Sequence, residues 1–452
     1  MCVKTLAASD KLKELVRIKY MIIKPANLLR GTLNLPGDKS ISHRAALIGA
    51  LAEGRTQVEN FATSADCAST LSCLHQLGVG VEREGKTVFI EGVGLDGLRQ
   101  SNESLDCGNS GSTMRMLAGV LAGQKFTSTM TGDESLSKRP MKRIIAPLEM
   151  MGARLEATDG HAPLIVRGKR PLNAIQYETP VASAQVKSCV LLAGLHAGGK
   201  TSVIENVTTR DHTERVLRWF GVEVEEEKLE NGATKLSVEG FQNYKAQNLI
   251  VPSDISSAAF FLVAASCLKD SNLKLNNVGL NPTRNAIVQT MIDLGANISI
   301  ENEREQSNEP IADITIRQSA IRNPQSATLR GNVIAQLIDE LPVLSVFGSQ
   351  LENGLEIRDA KELRVKESDR IATVVENLRA MGADVEEYED GLHVSKSNLK
   401  GAKVNSHGDH RIAMAFAVAA LFAEGETEII GAESVAVSFP NFFELLESVI
   451  ER

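Results

Sequence analysis

The chain has 452 residues, 43% of them apolar, enough to bury a large core and, on length alone, to form two or three domains. Its net charge of −8 and pI near 5.7 argue against a nucleic-acid or membrane-surface protein, which presents a basic face; an anionic ligand must be gathered by local cations against the overall charge. Six cysteines, at positions 2, 67, 73, 107, 189 and 267, show neither a CxxC pair nor metal-ligand spacing. They read as reduced thiols of a cytoplasmic protein, and no metal or other cofactor is expected.

Residues 1–20 (MCVKTLAASDKLKELVRIKY) scatter Lys and Arg through their apolar positions. They lack the clean hydrophobic region of a signal peptide and read as an N-terminal extension. Met21 then opens a strand-like stretch, MIIKPANLLRGTLNLPG. The longest apolar run, Ile412 to Ala423, falls well short of the ~20 residues that a spanning helix needs.

From there the chain repeats itself. Short polar segments precede apolar helices at Lys39-Ser40, Asn109-Ser110-Gly111, Ser183-Ala184-Gln185, Ser253-Asp254, Asp339-Glu340 and Asp409-His410-Arg411. Marked at Ser40, Ser110, Ser183, Asp254, Asp339 and Asp409, the steps are 70, 73, 71, 85 and 70 residues. A second marker has the same period: Leu77-Gly78-Val79, Met151-Gly152-Ala153, Phe220-Gly221-Val222, Leu294-Gly295-Ala296 and Met381-Gly382-Ala383. Each closes an amphipathic helix and is followed by an alternating, hairpin-like stretch. Two markers on one period define a structural repeat.

The unit reads as apolar helix, strand, amphipathic helix and two strands. RAALIGALA, VLLAGLHA, AAFFLVAAS and IAMAFAVAALFA are apolar almost all round, as befits helices inside a core. TQVEN, TSVIEN, LKLNN and TEII follow them as strands. Six units split into two halves of three that cross near Val251-Pro252. One lobe is expected over 38–250 and the other over 21–37 plus 251–452. The sixth unit lacks its hairpin and ends in NFFELLESVIER; the strand within 21–35 is the candidate to complete it. If the buried helices of each half run parallel, six helix N-termini face one cleft. Their free N–H groups and partial positive charges suit a multiply charged anion.

Gly194-Leu195-His196-Ala197-Gly198-Gly199-Lys200-Thr201 matches the nucleotide-binding pattern GxxxxGK[ST]. That loop needs a strand before it and a helix after it, whereas here a helix precedes and a strand follows. Ala52-Glu53-Gly54-Arg55-Thr56 and Ala423-Glu424-Gly425-Glu426-Thr427 repeat the junction. The segment therefore reads as a helix-to-strand turn with Gly as its stop.

Cations recur beside the helix starts: Lys39 and Arg44, Lys138 and Arg139, Arg210, Lys366 and Arg370, Arg411. A single Lys or Arg is ordinarily a solvated charge, but repetition at the same place in successive units points to phosphate and carboxylate recognition. LPGDKSISHR (35–44), CGNSGSTMR (107–115), KRP (138–140), SAQVK (183–187), RDHTE (210–214), IDELP (338–342), RVKESDR (364–370) and GDHRIAM (408–414) together resemble, in order and over nearly the whole chain, the 5-enolpyruvylshikimate-3-phosphate (EPSP) synthase family. The resemblance implies a two-domain inside-out α/β barrel of six repeats. It also implies transfer of the enolpyruvyl group of phosphoenolpyruvate to the 5-hydroxyl of shikimate 3-phosphate, with release of phosphate, in aromatic amino acid biosynthesis.

Carried over by position, the resemblance assigns Lys39, Ser40, Arg44, Ser183, Gln185 and Arg210 to shikimate 3-phosphate, with Asp339 and Lys366 beside it. It assigns Lys39, Asn109, Gly111, Arg139, Gln185, Arg370 and Arg411 to phosphoenolpyruvate. Asp339 becomes the base at the 5-hydroxyl, Glu367 the proton donor to C3 and Lys366 a cation coupled to both, with Arg139, Arg370 and Arg411 stabilising a tetrahedral intermediate. Gly111 lets a ligand come close to backbone, which implies sensitivity to glyphosate. Helix capping is the competing role for Asp339 and Asp409. For His212 and His410, structural hydrogen bonding is expected. Ala184 replaces a second Ser, and Val437-Ser438-Phe439-Pro440 lacks a preceding Lys. These departures, with SAQVK and RDHTE, point to the second sequence class and leave the last phosphoenolpyruvate cation unassigned.

The related enolpyruvyl transferase acting on UDP-N-acetylglucosamine commonly carries a reactive Cys where this chain has Glu134. A non-catalytic anion-binding protein would have no need for Asp339, Lys366 and Glu367 together. The partners expected are the two small substrates, with no nucleic acid and no membrane, and the chain is expected to act as a monomer.

Overall fold

A computed structural model describes residues 20–318 and 327–452; all but Tyr20 of the expected N-terminal extension lies outside the described residues. Six core helices follow the repeat, at Lys39–Leu51, Gly111–Ala122, Ala184–Gly194, Ile255–Cys267, Leu341–Gly348 and His410–Leu421. Every residue from Ile41 to Leu51 and from Leu341 to Gly348 is buried, as is the whole sixth helix. Such segments are stable only with neighbours on all sides, which explains why they carry no polar face.

The two periodic markers are the two ends of helices. Ser110, Ser183, Asp254 and Asp409 are N-caps whose side chains accept from Thr113, Val186, Ser256 and Arg411 N–H groups. In the first unit the cap is Asp38 rather than Ser40, and in the fifth Glu340 occupies the N-cap position without a side-chain bond. At the other marker, Gly78, Gly152, Gly221, Gly295 and Gly382 all have φ between +81° and +95°. The residue after each glycine donates back five positions: Val79 to Leu74, Ala153 to Leu148, Val222 to Leu217, Ala296 to Met291 and Ala383 to Leu378. These are five Schellman caps, which need a left-handed residue where glycine is least strained. Gly54, Gly199 and Gly425, in the helix-to-strand turns, likewise have positive φ. Gly194–Thr201 is thus such a turn: a helix ends at Gly194 and a strand runs from Lys200 to Glu205.

Among the described residues the strands form six small sheets, one per repeat. In the third, Gln176–Glu178 pairs parallel with Lys200–Glu205, which pairs antiparallel with Thr234–Glu239, the second strand of a hairpin with Val224–Lys228. The first sheet borrows its short parallel strand, Leu249–Ile250, from the end of the third unit. Leu28–Leu33 plays the same part for the fourth, pairing with Asn272–Gly279. The strand-like stretch after residue 20 is therefore two strands with two destinations. Tyr20–Ile23 pairs antiparallel with Thr427–Ile430 and completes the sixth sheet, whereas Leu28–Leu33 belongs to the fourth and also pairs with Ile450–Glu451.

Buried apolar side chains fall into two clusters. One runs from Ile41 to Val251, and the other joins Leu29, Leu33 and Leu35 to residues from Ile255 to Val449. The chain crosses between them twice, and the crossings are bonded to each other: Asp38 N donates to Pro252 O at 2.8 Å and Asp254 N to Pro36 O at 3.0 Å. Between the crossings Gly37 is obligatory, since a Cβ there would lie 1.7 Å from Asn60 O. No helix among the described residues is long and apolar enough to cross a membrane.

Candidate active site

All six core helices present their first turns, or the residues just before them, to one cleft of about 420 Å³. Its wall includes Lys39 and Ser40, Gly111 and Ser112, Ser183 to Val186, Asp254, Asp339, and His410 and Arg411. Nine cationic side chains line it against six carboxylates, so a chain of net charge −8 holds a positively biased pocket. Dipole ends and cations reinforce one another there.

Asp339 is surrounded by guanidinium groups. Arg210 Nη2 lies 2.5 Å from Oδ2 and Arg370 Nη1 3.3 Å from Oδ1, while Arg411 donates to the Asp339 carbonyl at 3.2 Å. Burial pushes its carboxyl up, but Arg210, Arg411, Arg370 and Arg284 together hold it well below the usual range. It caps no helix. Asp409 does cap one, and it also accepts from Arg370 Nε at 2.8 Å, so capping and the anchoring of a cleft arginine fall to one carboxylate.

Glu367 receives Arg370 Nη2 at 2.6 Å and faces Arg139 Nη1 at 3.3 Å. Burial raises its carboxyl, and Arg370 and Arg139, with Lys39, outweigh that and hold it well below normal. Lys366 also lines the cleft, 3.9 Å from Glu362; burial lowers its ammonium below the usual lysine range despite Asp339 and Glu362 nearby. Lys39 is held 2.8 Å from Asp66, Arg115 donates to Gln185 Oε1 at 2.5 Å, and Gln185 donates to Ser112 at 2.9 Å. A Cβ on Gly111 would meet Arg115 Nη1 at 2.8 Å and Arg139 Nη1 at 3.6 Å.

Of the residues singled out in the sequence, Lys39, Ser40, Gly111, Arg139, Ser183, Gln185, Arg210, Asp339, Lys366, Glu367, Arg370 and Arg411 line this one cleft. Two lie behind it. Arg44 is buried and spans Ser40 O, Thr213 Oγ1 and Ser188 Oγ. Asn109 accepts from Arg139 Nη2 at 2.6 Å and donates to Asp133 at 2.8 Å, so it holds a cleft arginine from outside. Lys138 points to solvent and pairs with Glu134. His212 meets Glu309 at 2.7 Å, deep in the protein. His410 lines the cleft, and among the described residues its Nδ1 lacks the hydrogen bond expected of it; burial holds it neutral. Lys187, within SAQVK, is fully buried at 2.9 Å from Glu205 and 2.7 Å from Glu214, so part of that motif and of RDHTE is a structural ion cluster.

The sequence reading missed Asp66, Arg115, Arg143, Arg284 and Glu362, all at the cleft. Arg115 ends a quoted motif and could have been found there; Asp66 and Arg143 lie in the first turns of the repeated amphipathic helices and Arg284 two residues before another, so a search of those helix starts would have reached them, whereas Glu362 sits in a short turn of its own. Among the described residues no group of three or more His, Cys, Asp or Glu is placed to hold a metal ion.

The sequence model of the family described as EPSP synthase (3-phosphoshikimate 1-carboxyvinyltransferase) matches residues 23–446. Among curated relatives, the 3-phosphoshikimate 1-carboxyvinyltransferase of Koribacter versatilis is 53% identical over 96% of this chain and all of its own length. That of Salinibacter ruber is 51% identical over 94% of this chain and 98% of its own. A solved EPSP synthase from Acinetobacter baumannii superposes with a TM-score of 0.84 at 43% identity, covering 95% of this chain and 98% of that one. With the six-repeat architecture and the cleft it encloses, these likenesses place the chain in the EPSP synthase family.

Proposed function

We propose that this protein transfers the enolpyruvyl group of phosphoenolpyruvate to the 5-hydroxyl of shikimate 3-phosphate. The observation that carries the reading is the meeting of Asp339, Lys366 and Glu367 with the starts of six core helices and a surplus of cationic side chains in one cleft. Arg210, Ser183, Ser40, Gln185 and Lys39 form the side suited to shikimate 3-phosphate. Lys39, Arg139, Arg370 and Arg411, with Gly111 leaving room, form the side suited to phosphoenolpyruvate. Arg44 and Asn109 support these contacts from behind.

In this reading Asp339 takes the proton of the 5-hydroxyl as its oxygen bonds to C2 of phosphoenolpyruvate, while C3 gains a proton from Glu367. The tetrahedral intermediate then expels phosphate as C3 gives a proton back, restoring the double bond. Arg139, Arg370 and Arg411 stabilise the charge in both steps. Lys366, its ammonium made more acidic by burial, lies within the field of both carboxyls and can pass a proton between them. The two apolar clusters support lobes over 38–250 and 21–37 plus 251–452. One chain supplies every residue of this scheme, which supports a monomer, and we place that monomer in the cytoplasm.

Phosphate release measured with phosphoenolpyruvate and each acceptor in turn tests the reading. Release is expected with shikimate 3-phosphate and not with UDP-N-acetylglucosamine. Binding of both substrates without release would make the protein an anion-binding module.

A further inference from the structure

We propose that Arg284 is a positioning residue for Asp339, the anchored cation onto which that carboxylate settles when the substrates draw the other arginines away. The proposal rests on the assignment of Asp339 as the base. Arg284 lies in the turn between the strand Asn272–Gly279 and the helix Ala286–Asp293. Asn281 builds that turn, accepting from Arg284 N at 2.8 Å through its carbonyl and from Thr283 N at 2.9 Å through its side chain. Asn281 is itself fixed, donating to Asp211 at 2.6 Å and Glu309 at 2.9 Å.

The side chain is 3% exposed yet reaches the cleft wall. Its Nη2 bonds Ser256 Oγ and lies 3.5 Å from Glu340 Oε1, and Ser256 in turn bonds Glu340. Arg284 is thereby tied to the floor of the cleft. Among the described residues its Nε and Nη1 have no hydrogen-bond partner, a costly state for a buried guanidinium. Nη1 is 3.9 Å from Asp339 Oδ2, about 1 Å beyond hydrogen-bonding distance.

The charged groups facing Asp339 divide by what holds them. Arg210, Arg370 and Arg411 stand on the ligand side and are assigned to substrate anions, and Lys366 borders the same space. Glu340 follows Asp339 in the chain and opposes its charge. As phosphate and carboxylate oxygens engage Arg210, Arg411 and the terminal nitrogens of Arg370, whose Nε stays anchored on Asp409, their hold on Asp339 weakens when a base is needed. Arg284 cannot follow them, because Ser256 and Glu340 keep it in place. A shift of about 1 Å brings Asp339 onto Nη1, pairing an unused donor and keeping the carboxylate ionised and aimed.

The test is the pH dependence of kcat for the parent, Arg284→Met and Arg284→Lys, with Asp339→Asn as reference. Loss of the cation makes Asp339 easier to protonate, so the acidic limb should move to higher pH, by about one unit in Arg284→Met and by less in Arg284→Lys. KM for both substrates should stay within about threefold, because Arg284 is tied away from the ligands. A merely structural role would lower kcat at every pH and leave the limb where it was. Superimposable limbs, with Asp339→Asn inactive, overturn the proposal; should Arg284→Met fail to fold, an unmoved limb in Arg284→Lys does the same. Full turnover by Asp339→Asn would instead remove the base assignment.

Discussion

Glu367, between Arg370 at 2.6 Å and Arg139 at 3.3 Å, is ionised in the ligand-free protein, whereas the proposed role of donor to C3 requires a proton on it. Substrate binding resolves this. When the two guanidiniums turn to ligand anions, the carboxyl loses its counter-charges, gains a negative neighbour and stays buried. Each change raises its proton affinity. Binding should therefore take up as much as one proton per site near neutral pH, visible as a buffer-dependent heat in calorimetry, and Glu367→Gln should abolish that uptake. A buffer-independent heat in the parent would refute it. Asp339→Asn and Glu367→Gln should each lower turnover by about 10²–10⁴-fold while thermal unfolding stays cooperative; near-normal turnover in either would remove its role. The residues that were legible share a trait, because Lys39, Arg370 and Arg411 sit at helix starts that recur along the chain. Glu362 sits in a single, unrepeated turn, where one charge looks like any solvated surface charge, and Arg284 stands two residues before a repeated amphipathic helix at which no motif was singled out. Arg44 and Asn109 show the reverse: a sequence pattern selects residues that build a site without separating those that face it from those one layer behind.

At the scale of elements, the five Schellman glycines and the glycine at the crossing make opposite demands on a new methyl group. Gly221 has φ +85° and nothing within 4 Å of a built Cβ. Gly221→Ala therefore strains only the backbone and should lower stability by about 1–2 kcal/mol. Gly37 has its obstacle in space, with Asn60 O at 1.7 Å, and relief requires moving one of the two linked crossings. Gly37→Ala should cost about 3 kcal/mol or more, and it should also lower activity because Asp38 and Lys39 follow directly. Denaturant midpoints with unchanged m-values would give both numbers, and equal losses would contradict the distinction. The repeat was readable because caps and C-terminal glycines are backbone requirements, renewed in every unit whatever packs around them. Strand partners were only half readable. Tyr20–Ile23 and Leu28–Leu33 pair with segments hundreds of residues away, and alternation within a strand tells which face is buried without naming its neighbour.

For the molecule as a whole, an acidic chain must bring two anions into a cationic cleft. The cations act over short range, since at physiological ionic strength charges are screened within about 8 Å. If the two halves close on the ligands, contacts that span the gap set the balance. Arg143, from the first apolar core's half of the chain, donates through both terminal nitrogens to Glu362, from the other half, at 3.0 and 3.2 Å. The pair sits at the cleft wall, with about a third of each side chain or more open to solvent, so it contributes only about 0.2–1 kcal/mol. That is enough to bias a two-state closure and too little to determine the fold. If it acts as a latch, Glu362→Gln should raise KM for both substrates by up to about fivefold with kcat nearly unchanged, because the open state gains population before binding. The direction of the change is decisive. Were Arg143 instead a substrate contact restrained by Glu362, the same substitution would release a cation into the cleft and lower KM. Steady-state kinetics of Glu362→Gln beside Arg143→Gln separates the two cases, since a latch makes both variants err in the same direction, and a restrained ligand contact sends them in opposite ones.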